Sequence, residues 1–328
     1  MEYTLTNLKG WRVVLTEQGA AVREIHVPDK DGKLIDVALA CGSSEDALVN
    51  DSYFGVSCGR VANRISNARF FLDGKEHKLT ANIHPQILHG GTPGFSHLPW
   101  TAKKISDKQI TFTLHSPDGD QGFPAAVDVS ATYSWSEDGV LGITYEAVSD
   151  APTIVNLTNH TYFNLNGQGE GSILDHELTL KCEYFLPVNE IVGVTGEIFS
   201  VSGTPMDFNA PHKIRERIFS DYEQLKCAGG YDHSYVISGG GSRFAKVVGD
   251  KSGIVMEVCT DYPAVQLYAG CNMKPTNGKN GAKYDKFGGV CLETQYFPDF
   301  INQPTFENHI LRPGDVYRHH TDYAFSTI

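Results

Sequence analysis

Short segments in which apolar and polar residues alternate recur along the chain, and they constrain its fold more than any other feature. Gln109–Leu114, Val127–Ala131 and Leu141–Tyr145 share this pattern, which is typical of a β-strand with one buried face. The turn sequences Ser116–Gly119 and Glu137–Gly139 lie between them. Such close spacing leaves no room for the long helical crossovers of parallel sheets. The pattern therefore predicts an antiparallel sandwich or barrel.

Helical patterns are sparse by comparison. Ser43–Asn50 is long enough for one or two turns, and Ile214–Leu225 has the better amphipathic pattern. The sequence contains no stretch with the composition of an interdomain linker and no internal repeat. We therefore expect an all-β fold with few short helices, organised as a single domain spanning residues 1–328.

The balance of charges restricts the possible partners. The chain has 27 basic and 39 acidic residues, a formal net charge of −12, and no run of basic residues. Nucleic acids and anionic membrane surfaces bind clustered Lys and Arg, so neither is expected as a partner. No apolar run is long enough to span a bilayer. We expect the ligand to be small and uncharged, or another protein.

Cysteine usage indicates a reducing compartment. The seven cysteines are scattered and include no C-x-x-C pair, which argues against a zinc site or a disulfide framework. The segment Met1–Gly10 has neither the basic nor the apolar region of a secretory signal. The sequence therefore predicts a cytoplasmic protein.

Four clusters place polar residues where a strand or its edge should be apolar. In one of them a histidine enters a pair of glycines, which allow close approach of the backbone. In another, a carboxylate lies near the end of an apolar strand. The four clusters are Gly59–Ile65, Leu88–Gly91, Asn156–Leu165 and Gly289–Gln295.

Each cluster has an ordinary structural interpretation when it is taken alone. Arg60 and Arg64 are each interpretable as solvated or ion-paired surface residues. Glu293 is interpretable as a surface residue at a strand edge, and a lone histidine is more often structural than catalytic. No cluster by itself fixes a function.

Two patterns resemble metal sites, but each lacks a required feature. The neighbouring residues His319 and His320 would point to opposite faces of a strand, so they are not expected to chelate one ion. Asp118–Gly122 resembles the start of a calcium loop without its third acidic ligand and its bidentate glutamate. The sequence predicts no metal and no cofactor.

Together, the clusters resemble the aldose 1-epimerase family. Eight segments match the family in order along nearly the whole chain, and eight matches in order are far more specific than one. The matching segments are Gly59–Ile65, Leu88–Gly91, Ser116–Gly119, Asn156–Leu165, Gly203–Phe208, Tyr231–His233, Leu292–Asp299 and Leu311–Gly314.

The resemblance implies a large antiparallel β-sandwich of the galactose mutarotase-like type, with a sugar cleft across one sheet. It implies that Glu293 is the general base and His160 the general acid. The residues implied to hold sugar hydroxyls or the ring oxygen are Asn63, Arg64, His89, Asp232 and Gln266. Segments 96–99 and 269–272 depart from the family pattern, and we expect both at the rim of the cleft.

The residue types suit the interconversion of α and β anomers. Removing the proton of the C1 hydroxyl while protonating the ring oxygen opens the ring, and closure on the other face completes the change. Glutamate, with a pKa near ~4.3, is ionised at neutral pH. Histidine, near ~6.5, would need its pKa raised, and nearby carboxylates are the expected cause. The expected partner is a free aldose such as galactose or glucose, bound by a monomer or homodimer.

Three alternatives remain open at this stage. A non-catalytic carbohydrate-binding module could use the same polar residues, although it would not need a paired acid and base. A glycoside hydrolase normally requires two carboxylates, and the motifs supply Glu293 with only Asp232 as a weak second. A hexose-6-phosphate epimerase would require additional basic residues for the phosphate, and none accompany the motifs.

Overall fold

The computed structural model describes residues 1–238 and 241–328. Most of the glycine run 239–241, whose spacing matches no phosphate-binding loop, therefore lies outside the described residues. The described residues form 28 strands, two short α-helices and several single 3₁₀ turns. The prediction of an all-β fold with few short helices is confirmed.

The first half of the chain is built from fifteen strands. They are β1 (Glu2–Thr6), β2 (Arg12–Thr16), β3 (Ala21–Pro28), β4 (Leu34–Asp36), β5 (Ser57–Cys58), β6 (Arg64–Ile65), β7 (Arg69–Leu72), β8 (Lys75–Lys78), β9 (Ile87–Leu88), β10 (Thr101–Ser106), β11 (Gln109–Ser116), β12 (Val127–Trp135), β13 (Val140–Ser149), β14 (Thr153–Ile154) and β15 (Thr158–Asn159). Strands β1 to β4 form a four-stranded antiparallel sheet in sequence order.

The second half contributes thirteen strands and one of the two helices. The strands are β16 (Glu177–Leu180), β17 (Tyr184–Phe185), β18 (Phe199–Ser200), β19 (His212–Lys213), β20 (Asp232–Val236), β21 (Arg243–Val248), β22 (Ile254–Thr260), β23 (Ala264–Tyr268), β24 (Thr276–Asn277), β25 (Lys283–Tyr284), β26 (Cys291–Gln295), β27 (Ile310–Leu311) and β28 (Tyr317–Thr327). The helices are α1 (Ser44–Val49) in the first half and α2 (Glu223–Ala228) in the second.

A nine-stranded antiparallel sheet forms one layer, in the order β10-β11-β12-β13-β28-β22-β21-β16-β19. Its strands have the alternating burial that the sequence predicts. In β12, Val127, Val129 and Ala131 are buried while Asp128 is exposed. Because the side-chain period is two, this alternation gives the sheet one core face and one solvated face.

A five-stranded antiparallel sheet, in the order β18-β17-β20-β23-β26, packs against the larger one. Leu267 and Leu292 from the smaller sheet belong to the same core cluster as Tyr133 and Ile143 from the larger sheet. Two sheets that share one core in this way form a sandwich. The face of the smaller sheet opposite those leucines carries the polar residues considered below.

The short helix predicted at Ser43–Asn50 is confirmed as α1. Its N-cap is Ser43, whose hydroxyl accepts a hydrogen bond from the Asp46 backbone N–H at 3.0 Å. Two acidic residues in the first turn complement the helix dipole.

The prediction of a helix over Ile214–Leu225 is largely wrong. Residues Ile214–Glu216 form a single 3₁₀ turn, and α2 begins only at Glu223. Ile214, Ile218 and Leu225 are all buried, so their apolar spacing reflects three separate turns that face the core. Periodicity alone does not distinguish such a series of turns from one continuous helix.

The main core cluster draws residues from Leu5 near the N-terminus to Phe325 near the C-terminus. This continuity supports the assignment of residues 1–328 to one domain, which stays a prediction. In the described part of the chain, neither helix has the length and apolar character needed to cross a membrane.

Candidate active site

One cavity brings together all of the site residues predicted from the sequence. It has a volume of about 190 Å³, which is below the ~300–1,000 Å³ of pockets for drug-sized ligands and therefore favours a compact ligand. The predicted residues that line it are Asn63, Arg64, His89, His160, Asp232, Gln266 and Glu293.

The floor of the cavity is one row of the five-stranded sheet. Ser234 in β20 pairs with Gln266 in β23, which pairs with Glu293 in β26, so the three side chains lie on the same face. Gln266 therefore points away from the core leucine beside it, as its flanking apolar residues predict. Its amide nitrogen donates to Asp232 Oδ1 at 2.6 Å, which joins the two in one polar surface.

Glu293 is buried, with only 2% of its surface exposed, so the interpretation as a surface residue is wrong. Burial, and secondarily the charge of Asp232, raise the pKa of its carboxyl well above the usual value, while Arg64 opposes the change. One carboxylate oxygen, Oε2, has no protein hydrogen-bond partner among the described residues. A buried carboxyl with a free oxygen and a raised pKa is suited to accept and return a proton.

His160 follows β15 and is held by its own backbone. Its N–H donates to the Val56 carbonyl at 2.9 Å, and its carbonyl accepts from the Gly55 N–H at 3.0 Å. The expectation that neighbouring carboxylates raise the pKa of His160 is wrong. Burial lowers that pKa to about 4, because the imidazolium loses hydration that its neighbours do not replace.

The two predicted catalytic groups face each other directly. His160 Nε2 lies 3.6 Å from Glu293 Oε1, and both side chains are almost completely buried. At that separation a hydroxyl group bound between them would be within reach of both. The two groups can therefore exchange protons with neighbouring oxygens of one bound ligand.

His89 lies next to His160, with ring centroids 5.3 Å apart, in a segment where the backbone takes unusual conformations. His89 and Asn63 have φ values of +51° and +60°. The Asn63 backbone N–H donates to His89 Nδ1 at 3.3 Å, so the proton of the neutral imidazole is on Nε2. A side chain on Gly90 would lie 2.0 Å from the Gly59 carbonyl oxygen, which confirms the predicted close approach of the backbone.

The two arginines of the first cluster have different environments. Arg60 is 1% exposed, and its guanidinium donates to the carbonyls of Pro124 and Ala125 at 2.8 Å each. The interpretation of Arg60 as a surface residue is therefore wrong: it fixes a loop to the sandwich. Arg64 lines the cavity, and its buried Nε has no protein partner within the described residues.

The fold brings His89, His160 and Glu293 within 4.8 Å of one another, a grouping that the sequence spacing did not reveal. Two imidazoles and a carboxylate could in principle hold a transition metal. However, the hydrogen bond to His89 Nδ1 leaves a proton on Nε2 rather than the lone pair that a metal requires. The residues therefore fit a proton-donating role better than ligation.

The two other metal-like patterns are structural. His319 Nδ1 contacts Asp261 at 3.0 Å, whereas His320 contacts Asp322 at 2.9 Å, so the neighbours do not converge. Segment Asp118–Gly122 forms a turn in which Asp118 accepts from the Ala125 backbone. Both observations agree with the sequence-based interpretation.

A larger open groove, of about 660 Å³, lies on the nine-stranded sheet. Its histidine, His115, is paired with Asp128 at 2.7 Å, and its Glu146 is paired with Arg318. Since its charged groups already have partners, the smaller cavity is the better candidate for chemistry.

Three aromatic residues of the cavity are absent from the site residues predicted from the sequence. Tyr53, Tyr162 and Tyr268 surround the His160 ring, at centroid distances of 5.9, 5.0 and 6.2 Å. Tyr162 lies within the third cluster, but Tyr53 belongs to a loop with no motif. The only sequence signal for Tyr53 is the polar turn Asn50–Ser52 that precedes it.

The two segments that depart from the family pattern lie near this wall. Asn272 lines the cavity, and the ring of His97 packs edge-on against Tyr53 at 5.7 Å. Segment 269–272 therefore reaches the rim of the cavity, whereas segment 96–99 contacts it through Tyr53, and its place at the rim stays a prediction.

Comparison with known proteins identifies close relatives. A family model described as aldose 1-epimerase matches residues 1–324. A galactose mutarotase from Bos taurus is 42% identical over 318 residues, which covers 96% of this chain and 91% of that protein. An aldose 1-epimerase from Escherichia coli (strain K12) is 35% identical over 327 residues, which covers 98% and 94%.

Solved structures have the same architecture. An aldose epimerase homologue from C. elegans has a TM-score of 0.94 at 30% identity, covering 100% of this chain and 99% of that one. A galactose 1-epimerase from Lactobacillus acidophilus NCFM has a TM-score of 0.87 at 28% identity, covering 99% and 93%.

Proposed function

The chain belongs to the aldose 1-epimerase family, whose members are isomerases that interconvert aldose anomers. On this premise we propose that Glu293 is the general base and His160 the general acid. The observation that carries the proposal is their mutual position. His160 Nε2 and Glu293 Oε1 face each other across 3.6 Å at the floor of a polar cavity.

The reaction follows from moving two protons. Glu293 removes the proton of the C1 hydroxyl, the C1–O5 bond breaks, and His160 gives a proton to O5. The open-chain aldehyde rotates about C1–C2. Glu293 then returns its proton to O1 while O5 attacks C1 from the other face and gives its proton back to His160. Each positioned acid or base typically contributes ~10²–10⁴-fold.

In this mechanism Glu293 and His160 together carry one proton at every stage of the reaction. In the ring-closed stage Glu293 is anionic and His160 cationic, and in the ring-open stage both are neutral. The raised pKa of Glu293 and the lowered pKa of His160 both favour the neutral stage. Burial thus stabilises the protonation state of the ring-open intermediate.

The surrounding polar residues bind the sugar in this proposal. Arg64 is placed to stabilise charge that develops near the ring oxygen. Asp232 accepts hydrogen bonds from hydroxyls, Gln266 can accept through Oε1 and donate through Nε2, and His89 donates from Nε2. Asn63 acts mainly by holding His89, since its backbone N–H is bonded to that ring.

The charges of the cavity support a neutral substrate. Its basic residues are Arg64 and Lys274, and its acidic residues are Asp51, Asp232 and Glu293. A phosphate group would be repelled by this excess of acid, so a hexose-6-phosphate is disfavoured. We propose free aldohexoses, with galactose first because the relatives include galactose mutarotases.

We also propose a cytoplasmic location and a monomeric or homodimeric assembly. The seven free cysteines of the structure are consistent with a reducing compartment. Sedimentation of the purified chain tests the assembly.

Polarimetry tests the activity directly. Freshly dissolved α-D-galactose and α-D-glucose should approach their equilibrium rotation faster with the protein than without it, and the Glu293→Gln variant should remove most of the acceleration. A carbohydrate-binding module would give no acceleration with either sugar. Equal acceleration by parent and variant would reject Glu293 as the base.

A further inference from the structure

The rings of Tyr53 and Tyr162 lie close to the His160 ring and nearly parallel to it. The Tyr162 ring stacks at a centroid distance of 5.0 Å with an interplanar angle of 27°, and the Tyr53 ring stacks at 5.9 Å with an angle of 21°. The ring of Tyr268 lies edge-on at 6.2 Å. Both stacked rings are within the ~6 Å over which a cation is attracted to an aromatic face.

The ring edges of His160 are occupied by other groups. Nε2 faces Glu293 at 3.6 Å, and Nδ1 lies 3.5 Å from the Cys291 thiol. The thiol is neutral because burial raises its pKa well above the usual value. The titratable side chains around the imidazole are Glu293 and Cys291 in β26, Asp232 in β20, Arg64 in β6, His89 after β9, and Tyr53, Tyr162 and Tyr268.

The proposed reaction places a positive charge on a residue that burial keeps neutral. Among the described residues, Glu293 is the carboxylate that contacts His160. In the proposed reaction it is itself a proton carrier, and its charge disappears during each ring opening. A stabilising group that the reaction does not consume is therefore needed. The faces of the two stacked tyrosines have this property.

We propose that the two nearly parallel rings of Tyr53 and Tyr162 stabilise the imidazolium of His160 and thereby make it an effective acid. The inference rests on the proposed function. Both tyrosines are positioning residues in this account, since they act through His160. The π-face is the required feature, and the hydroxyl is not.

The local sequence holds Tyr53 in place. The Asn50 side chain accepts from the Phe54 N–H at 2.9 Å and donates to the Phe54 carbonyl at 3.2 Å. The Tyr53 N–H donates to the Asn50 carbonyl at 2.9 Å. This closed turn sets Tyr53 at φ +59°, an uncommon conformation for a large residue, and directs its ring over the cavity. Tyr162 is two residues from His160 along an extended segment.

The test replaces each tyrosine by Leu and by Phe. In Tyr162→Leu and Tyr53→Leu, the pKa of His160, measured by NMR titration of its ring proton, should fall by about 0.5–1 unit. The turnover number should fall about three- to tenfold. The Phe variants should retain the parental pKa and most of the turnover, because they keep the aromatic face.

Tyr184→Leu is the matched control, since Tyr184 is 42% exposed on β17 away from the cavity. It should change neither quantity. A His160 pKa that is unchanged or raised in both Leu variants would overturn the proposal. A loss in Tyr162→Phe equal to that in Tyr162→Leu would also overturn it, because the hydroxyl would then be the active feature.

The acid role of His160 and the stabilising role of the two tyrosines can be rejected separately. If His160→Asn keeps full activity, His160 is not the acid and the proposed mechanism fails, whatever the titration shows. If His160→Asn is inactive but the Leu variants leave the His160 pKa unchanged, only the stabilising role of the two tyrosines is rejected.

Discussion

The two main sheets both carry polar side chains on one face, but these side chains differ in burial and in hydrogen bonding. On the nine-stranded sheet these side chains bond to one another, both across neighbouring strands and along one strand. Thr111 and Thr132 hydroxyls lie 2.8 Å apart, Thr144 contacts His320 at 2.8 Å, and His320 contacts Asp322 at 2.9 Å. Every one of these residues is partly exposed or half-buried.

On the five-stranded sheet, the polar side chains are buried and incompletely bonded. Ser234 Oγ, Gln266 Oε1, Glu293 Oε2 and the Gln295 side-chain amide have no protein partner among the described residues. An unsatisfied buried polar group costs about 1–3 kcal/mol. Such a cost is tolerated where a ligand makes the missing bonds. Polar side chains that bond to one another are thus expected to stabilise the fold, whereas buried ones with free hydrogen-bonding atoms are expected to bind a ligand.

The largest expected effect compares one carboxylate from each sheet. Glu293→Gln preserves size and hydrogen bonding but cannot accept a proton, so the turnover number should fall at least ~10²-fold with KM nearly unchanged. Asp322→Asn, the matched change on the nine-stranded sheet, should leave both constants within about twofold. Initial-rate polarimetry with galactose measures both. Equal losses in the two variants would remove the distinction between the sheets.

The next effect compares the two arginines of the first cluster. Arg64→Met should lower kcat/KM by about tenfold or more, since it removes a charge-assisted hydrogen bond to the sugar. Arg60→Met should instead lower the Tm by several degrees, because the buried carbonyls of Pro124 and Ala125 lose their donor. Calorimetry and kinetics on both variants test whether Arg64 acts on the sugar and Arg60 on stability. Arg64→Met with the larger loss of Tm would contradict it.

The pH dependence of kcat/KM should change by about tenfold per pH unit outside a broad plateau. The plateau corresponds to one proton on the pair. Activity falls at acid pH when His160 gains a second proton, near its lowered pKa of about 4. It falls at high pH as the shared proton leaves Glu293, whose pKa is raised. An acid limb near pH 6.5 would show that burial does not control His160.

The smallest expected effect concerns stability. The pKa of Glu293 is raised on folding, so its contribution to stability is present below the unfolded value of ~4.5 and is lost as pH rises toward the folded value. Glu293→Gln should therefore be more stable than the parent at pH 7, by about 2 °C in Tm for each kcal/mol recovered. The gain should vanish near pH 4. A destabilised variant at pH 7 would mean that Glu293 has structural partners.

Much of the fold is predictable from the sequence because each half-buried strand alternates apolar and polar residues within its own segment. The alternation in β11, β12 and β13 indicates which face of each strand is exposed to solvent, and it can be detected without knowledge of any distant contact. The pairing of β13 with β28, or of β20 with β23 and β26, has no local signal.

The sequence predicts which residues line the site, but it does not predict how deeply they are buried or how their pKa values shift. The seven residues converge as the family resemblance implies, and their roles stay predictions. The wrong direction for the pKa of His160 arose because neighbouring carboxylates are visible in a sequence, whereas the depth of burial is not. Tyr53 escaped notice because its contribution depends on a turn that folds it over a distant histidine.

The most direct test of the central claim is a double-mutant cycle on Glu293 and His160, with α-to-β exchange of galactose measured at equilibrium by NMR magnetisation transfer. If the two residues share one proton relay, Glu293→Gln and His160→Asn should each cost at least ~10²-fold, and the double variant should cost little more than the worse single variant. Sugar affinity should be similar in all four proteins. Losses that multiply in the double variant would show that the residues act independently and would contradict the account.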